Sequence, residues 1–244
     1  MALLTLFADD GALDAAATAD LAARLADAGV RAVVVAGSTG EASTLSPEER
    51  AELLTAVRAA VRGVPVIAGT GAPSARQATA LTQAAVDGGA DAVLALSPPG
   101  ALDVRPYYES VAAAAGPVPV LAYHFPSMSA PGIPVAALGR LPVAGCKDSS
   151  GDPGRLLETL ESWDRPIYVG SSALLALAGP LGCAGAILSL ANAEPEQCAA
   201  AFAGDAGAQR KLATAHRRSG ERFPHGIKEL TAERFGTSTA ARMA

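Results

Sequence analysis

Lys147 closes an apolar run, LPVAGCK (141–147), and is followed at once by Asp148, Ser149, Ser150, Gly151 and Asp152. Tyr123 and His124 stand near the end of another apolar run, PVPVLAYHF (117–125), and Gly37-Ser38-Thr39-Gly40-Glu41 follows a third, VRAVVVAG (30–37). A lysine amine can attack a carbonyl, and the resulting protonated imine is an electron sink that lets a neighbouring bond break or form. The amine must first shed its proton, and burial favours the neutral form. A tyrosine hydroxyl can carry protons to and from the reacting atoms. A turn of small residues with two hydroxyls and free N–H groups makes a nest for a carboxylate or phosphate. Lysine, phenol and anion nest are together the set that Schiff-base chemistry on a 2-keto acid needs.

Each member of the set has a plainer reading. Lys147 can be solvated or ion-paired, Tyr123 a core aromatic, and GSTGE a tight strand-to-helix turn that uses glycine for its dihedrals. His124 and Asp148 alternate away from the face that Tyr123 and Lys147 share and read as structural. GCAGAI (182–187) reads equally well as close helix–strand packing. What separates the readings is whether the elements bring the set to one place.

Apolar, β-branched runs alternate with Ala/Leu/Arg-rich amphipathic runs along most of the chain. Strands are expected at 3–7, 30–37, 64–71, 90–98, 117–125, 141–147, 166–171 and 184–190. Helical patterns lie between most of them. The clearest starts at Ser46, with Pro47 in the first turn and Glu49 completing a capping box. Between the fifth and sixth strands there is room for only about two helical turns. The strands are continuous apolar runs, as expected when both faces are buried in a parallel sheet. Eight β/α units predict an α/β fold, a TIM (β/α)8 barrel, which is typically about 250 residues long. A doubly wound sheet is the alternative, but no dinucleotide glycine fingerprint follows the first strand. Residues 1–194 would form the barrel, and 195–244 the eighth helix and a short C-terminal helical extension of the same domain. Functional groups of a barrel sit at the C-terminal ends of its strands. That places GSTGE, Tyr123 and Lys147 at the tops of the second, fifth and sixth strands, and Ile187, Ser189 and Asn192 on or after the eighth.

The chain has 244 residues, 50% hydrophobic and 18% charged, with a formal net charge of −5. Its pI is about 5.2 and its mean hydropathy +0.27. No basic surface is available for nucleic acid phosphates. Cys146, Cys183 and Cys198 are an odd, scattered set without metal-ligand spacing, which argues against a disulfide framework and a zinc site. The first residues, MALLTLFADDG, lack the features of a signal peptide, and no apolar stretch reaches the roughly 20 residues of a bilayer span. These features predict a soluble, cytoplasmic protein without a nucleic acid or membrane partner.

The motifs resemble those of the dihydrodipicolinate synthase and N-acetylneuraminate lyase family of pyruvate aldolases. AGSTGEASTLSPEER is similar to its G-[ST]-T-G-E signature, LAYHFPSM to its tyrosine motif, VAGCKDSSGD to its Schiff-base lysine motif, and GCAGAILSLAN to its eighth strand. FPHGIKELTAERFG is similar to its C-terminal helices. The resemblance implies a TIM barrel with a helical extension, a homotetramer or dimer, and a lysine imine without metal or other cofactor. It implies that Lys147 forms the imine with pyruvate or a pyruvate-derived 2-keto acid and that Tyr123 shuttles protons. Ser38 would stand at the relay hydroxyl, Thr39 and Gly40 would hold the substrate carboxylate, and Ile187 would line the pocket. Two departures matter. The arginine with which dihydrodipicolinate synthases bind their second substrate is Met128 here, and the usual tyrosine pair after the fourth strand is Pro99-Gly100. Tyr107 and Tyr108 follow a few residues later and read as helical. The expected reaction is therefore aldol cleavage or condensation other than dihydrodipicolinate synthesis. A 2-keto-acid dehydratase with the same imine and a catalytically degenerate keto-acid-binding regulatory barrel are the alternatives.

Overall fold

The computed structural model describes residues 1–243; Ala244, the last residue of the expected C-terminal extension, lies outside the described residues. Seven short strands follow one another as neighbours in a single parallel sheet. They are β1 (Val33–Val35), β2 (Val66–Gly69), β3 (Ala92–Leu96), β4 (Val120–His124), β5 (Gly145–Asp148), β6 (Ile167–Val169) and β7 (Gly185–Ala186). Between them run α1 (Ala15–Asp27, before β1), α2 (Pro47–Ala60), α3 (Ala75–Asp87), α4 (Arg105–Ala115), α5 (Val135–Leu138), α6 (Pro153–Ser162) and α7 (Leu175–Ala178). Three more helices follow β7: α8 (Pro195–Phe202), α9 (Ala206–Gly220) and α10 (His225–Phe235). No helix among the described residues is long and apolar enough to cross a membrane.

Alternation along the strands divides the core in two. Val34, Ile67, Leu94, Leu121, Tyr123 and Ile187 form one cluster with Ala2, enclosed by the sheet. Their neighbours Val33, Val35, Val66, Val93, Ala122, Cys146, Ile167 and Val169 face the other way, into a larger cluster with Leu21, Leu53, Val57 and Val111 from the helices. Both faces of the sheet are thus buried, which is why the strands read as unbroken apolar runs. All three cysteines are free and buried. Burial pushes the Cys146 and Cys198 thiols up to about 12.

The expected first strand, 3–7, differs. Only its entry pairs: Leu3 N–H donates to Val34 O at 2.9 Å and Val34 N–H to Met1 O at 2.8 Å, while Ala2 N–H donates to Leu188 O at 3.0 Å. The segment therefore bonds to β1 on one side and to the chain just beyond β7 on the other. The ladder stops because side chains take the next donors: Leu4 N–H binds Asn192 Oδ1 at 3.1 Å and Leu6 N–H binds Thr18 Oγ1 at 2.9 Å. Asn192, fully buried, also donates to Ala2 O and Ser189 O, both at 2.7 Å. The last expected strand, 184–190, is cut to Gly185–Ala186 by the 3-10 turn Leu190–Asn192 that holds this asparagine.

Helix α2 starts as its capping box dictates. Glu49 N–H donates to Ser46 Oγ at 3.2 Å, and Ser46 N–H to Glu49 Oε2 at 2.9 Å. Helix α5 is shorter than expected, four residues closed by Gly139. Two glycines test what the packing requires. A Cβ on Gly179 would come within 1.7 Å of Phe202 O, whereas one on Gly139, at an ordinary φ of −62°, would meet nothing within 4 Å. Gly179→Ala should cost about 1–3 kcal/mol of overpacking, and Gly139→Ala should gain roughly 0.4–1 kcal/mol from the unfolded chain. Urea denaturation of both variants reads the difference, and equal midpoints would contradict this packing.

Candidate active site

Lys147 owes its place to three features of β5. Gly145 lets the strand lie against β6, since a Cβ there would come within 2.8 Å of Pro166 O. Cys146 points outward into the helix layer, so Lys147 points inward. Asp148 points outward again, where its carboxylate accepts from Arg155 Nε at 2.6 Å and from Ser150 N–H at 2.8 Å. The parallel register sets Lys147 beside Tyr123 of β4 and Tyr168 of β6. Its side chain is 4% exposed, and Nζ stands 4.1 Å from the centroid of the Tyr123 ring. No carboxylate pairs with it among the described residues. A buried amine against an aromatic face, without a counter-ion, is not the solvated or ion-paired lysine of the plainer reading.

Tyr123 is buried and stacks on Phe125, with centroids 5.8 Å apart and planes at 21°. Its phenol oxygen lies 3.5 Å from Ser149 Oγ. Ser149, which the sequence presents as turn chemistry, is held there by backbone: its N–H donates to His124 O at 2.9 Å, and Gly170 leaves it room. A Cβ on Gly170 would fall 1.8 Å from Ser149 Oγ. Tyr168 also packs on the inward cluster, and its ring covers Gly185, where a Cβ would stand 3.2 Å from it. Ile187 lies in the same cluster as Tyr123.

Sequence reasoning passed over Tyr168 and read Ser149 as turn chemistry. The period-2 signal that placed Lys147 inward would have found Tyr168. Ser149 lies past the end of the strand, where that signal stops.

The residues read as structural are so. His124 Nδ1 accepts from Ile133 N–H at 2.8 Å. Burial, then the nearby Arg155, hold its pKa below the usual histidine value against the opposing pull of Asp148. Tyr107 and Tyr108 are struts in the helix layer. Tyr108 Oη donates to Ala95 O at 2.9 Å, and Tyr107 Oη accepts from Ala72 N–H at 3.1 Å. Burial raises both phenols. Both hydroxyls are thus engaged by backbone.

The turn after β1 is bracketed by two non-glycine residues with positive φ, Ala36 at 51° and Glu41 at 53°. Glu41 N–H donates to Ser38 O at 3.1 Å and Ala42 N–H to Gly37 O at 3.2 Å. Among the described residues the N–H groups of Ser38, Thr39 and Gly40 have no protein acceptor, and the Ser38 and Thr39 hydroxyls no protein partner. Three N–H groups without a protein acceptor in one small turn can receive an anion. Thr5 Oγ1 donates to Gly40 O at 2.7 Å, and a Cβ on Gly40 would meet Thr5 Oγ1 at 2.9 Å, so the turn is pinned against the N-terminal segment. No hydrogen bond joins Ser38 to Tyr123 among the described residues. Ser38 instead faces a cavity of about 600 Å³, lined also by Leu96, Ser97, Pro99, Met128 and Ser129. Ser97 Oγ is buried there without a partner. Arg50, also on the wall, donates to the carbonyls of Gly69 and Ala42. Among the described residues no group of three His, Cys, Asp or Glu side chains could hold a metal ion.

A family model described as the dihydrodipicolinate synthetase family matches residues 1–232. An uncharacterized DapA-like lyase of Halobacterium salinarum is 40% identical over 205 residues, 80% of this chain and 67% of its own. A 4-hydroxy-tetrahydrodipicolinate synthase of Pseudomonas aeruginosa is 37% identical over 227 residues, 87% of this chain and 77% of its own. The dihydrodipicolinate synthase of Acinetobacter baumannii, solved with pyruvate, superposes with a TM-score of 0.90 at 30% identity, covering 99% of this chain and 90% of that one. The E. coli prophage protein YagE, also solved with pyruvate, superposes at 0.89 and 27% identity, covering 98% and 89%.

The Asp148–Arg155 pair fixes the strand end that carries Lys147. Both side chains are little exposed, 11% and 14%. Asp148→Ala, which strands the guanidinium, should therefore cost about 3 kcal/mol in chemical denaturation. A loss below about 0.5 kcal/mol would mean that water screens the pair as at an open surface.

Proposed function

The chain belongs to the dihydrodipicolinate synthetase family, whose members are class I carbon–carbon lyases, and we propose that it forms a lysine imine with pyruvate or a pyruvate-derived 2-keto acid. One observation carries this reading: Lys147 is buried, inward-facing and without a carboxylate partner, with its amine against Tyr123. The anion receptor of Ser38, Thr39 and Gly40 and the pyruvate held by two of the solved relatives support it.

The chemistry follows from the groups present. Neutral Lys147 Nζ attacks the keto carbon, and Tyr123 supplies the proton with which the carbonyl oxygen leaves as water. The turn N–H groups and Thr39 hold the carboxylate, and Ile187 packs against the pyruvyl group. Ser149, beside the phenol, orients the Tyr123 proton; the resemblance gives Ser38 the relay hydroxyl, although among the described residues it makes no hydrogen bond to Tyr123. The protonated imine then draws in the electron pair of the bond between the third and fourth substrate carbons. The fourth-carbon hydroxyl gives its proton to Tyr123 and becomes the aldehyde, and the enamine left on Lys147 takes that proton from Tyr123 at carbon. Water hydrolyses the imine and releases pyruvate. No metal or other cofactor enters these steps.

The second half of the substrate meets Met128, 44% exposed, where dihydrodipicolinate synthases have arginine. The cation lining the cavity, Arg50, is engaged by carbonyls. Both features favour a neutral acceptor, hence aldol cleavage or condensation other than dihydrodipicolinate synthesis. Elimination of a hydroxyl from the same imine would make the protein a dehydratase. The engagement of Tyr107 and Tyr108 by backbone favours a regulatory keto-acid binder as the second reading. The proposal also covers the whole architecture. Segment 1–7 takes the place of the first of eight barrel strands, residues 1–194 form the barrel, and 195–243 form the eighth helix and extension of a homo-oligomeric, cytoplasmic enzyme.

Incubation with pyruvate and borohydride, followed by peptide mass spectrometry, should place a reduced adduct on Lys147 and none in Lys147→Ala. Tyr123→Phe should slow turnover about 10²–10⁴-fold. An adduct without cleavage of any 2-keto aldol would favour the regulatory binder, and no adduct would sink both readings. Met128→Arg should not improve activity with a carboxylated aldehyde; an improvement would contradict the neutral acceptor.

A further inference from the structure

Two fully buried charges lie outside these steps. Glu41 Oε1 and Lys228 Nζ are 2.6 Å apart, and both side chains are 0% exposed. Lys228 also donates to Ala240 O and lies 4.5 Å from the Phe7 ring centroid. The other Glu41 oxygen accepts the N–H groups of Arg242 at 2.8 Å and Met243 at 2.7 Å. The segment after α10, residues 237–243, therefore returns across some 200 residues of sequence to end on the residue that closes the Ser38–Gly40 turn. Arg242 ties it further: Nε donates to Gly11 O at 2.7 Å and Nη1 to Thr44 O at 3.0 Å. Its guanidinium pairs with Glu49 at 2.6 Å, and its Cζ lies 4.4 Å from the Phe7 ring centroid.

A carboxylate could be buried here merely to fasten segment 237–243. Its own backbone indicates more. Glu41 is held at φ 53°, a left-handed conformation that a non-glycine residue keeps only when its surroundings enforce it. In that conformation its N–H closes onto Ser38 O, leaving the N–H groups of Ser38, Thr39 and Gly40 open for an anion. Glu41 is anchored to Lys228, Arg242 and Met243, so segment 237–243 acts on the turn through it.

We propose that Glu41 is a positioning residue: the Lys228 ion pair and the 237–243 strap lock the Ser38–Gly40 turn in its carboxylate-binding shape. This rests on the proposed carboxylate role of that turn. Loosening the strap then weakens keto-acid binding without touching the groups that make and break the imine.

Arg242→Ala removes the side-chain anchors and leaves every group assigned to the imine steps in place. The double variant Glu41→Gln/Lys228→Met removes both buried charges at once, avoiding the collapse expected when one is stranded. In both, the pyruvate concentration that half-saturates borohydride trapping should rise roughly tenfold, as for a misplaced binding group, with the maximal trapping rate little changed. Hydrogen–deuterium exchange should quicken at residues 37–42 and in the strap itself, 237–243, and not elsewhere. Unchanged half-saturation and unchanged exchange, in a wild type that traps pyruvate, would overturn the lock while sparing the imine. Faster exchange through the whole chain with a lowered Tm would also overturn it, leaving a purely structural strap. If the wild type traps nothing, the imine reading fails and exchange alone decides. Local quickening at 37–42 sustains the positioning role, and none refutes it.

Discussion

The candidate site hangs on backbone register. Tyr123, Lys147 and Tyr168 are ladder partners across three parallel strands, so their side chains leave the same face at neighbouring points. A slip of one residue in β5 would send Lys147 into the helix layer and bring Cys146 and Asp148 inward. Register is held by features with no chemical role: Gly145 against Pro166, the outward Cys146 in the larger core, and Asp148 clamped by Arg155. The lysine keeps its amine unpaired because its neighbours on both sides are aromatic.

The polar groups that the fold buries fall into two kinds. Asn192, His124, Tyr107 and Tyr108 satisfy backbone groups that no ladder reaches and disappear into the scaffold. The Ser38–Gly40 turn and Ser97 do the opposite, leaving donors or a hydroxyl without a protein partner. Leaving such groups unpaired is costly in a folded chain unless water or a ligand uses them. Backbone strain follows the same division, since Ala36 and Glu41 bracket the open turn.

Much of this was legible beforehand. The alternation that separated Lys147 from Asp148 and Tyr123 from His124 follows from the period of a strand, and the structure follows it residue by residue. The capping box at Ser46 and Glu49 needed only local chemistry. Where strands end was less legible, because ends depend on which distant side chain takes the next N–H. Asn192 and Thr18 stop the pairing of segment 1–7, and Asn192 sits in the turn that shortens β7. Ser149 was read as turn chemistry for a related reason: its position depends on the space left by Gly170, 21 residues further along the chain.

The sequence by itself determined the strand-and-helix order, the inward set of Tyr123 and Lys147, and the small-residue turn. Period, capping and glycine placement are local properties that each stretch of chain carries. Only the tertiary structure decided that Lys147 has no counter-ion, that Tyr107 and Tyr108 are struts, and that Glu41 meets Lys228 and the backbone of Arg242. These are facts about which groups share a buried volume. Burial sets the energy of a charge or a hydroxyl through neighbours that the chain brings from far away.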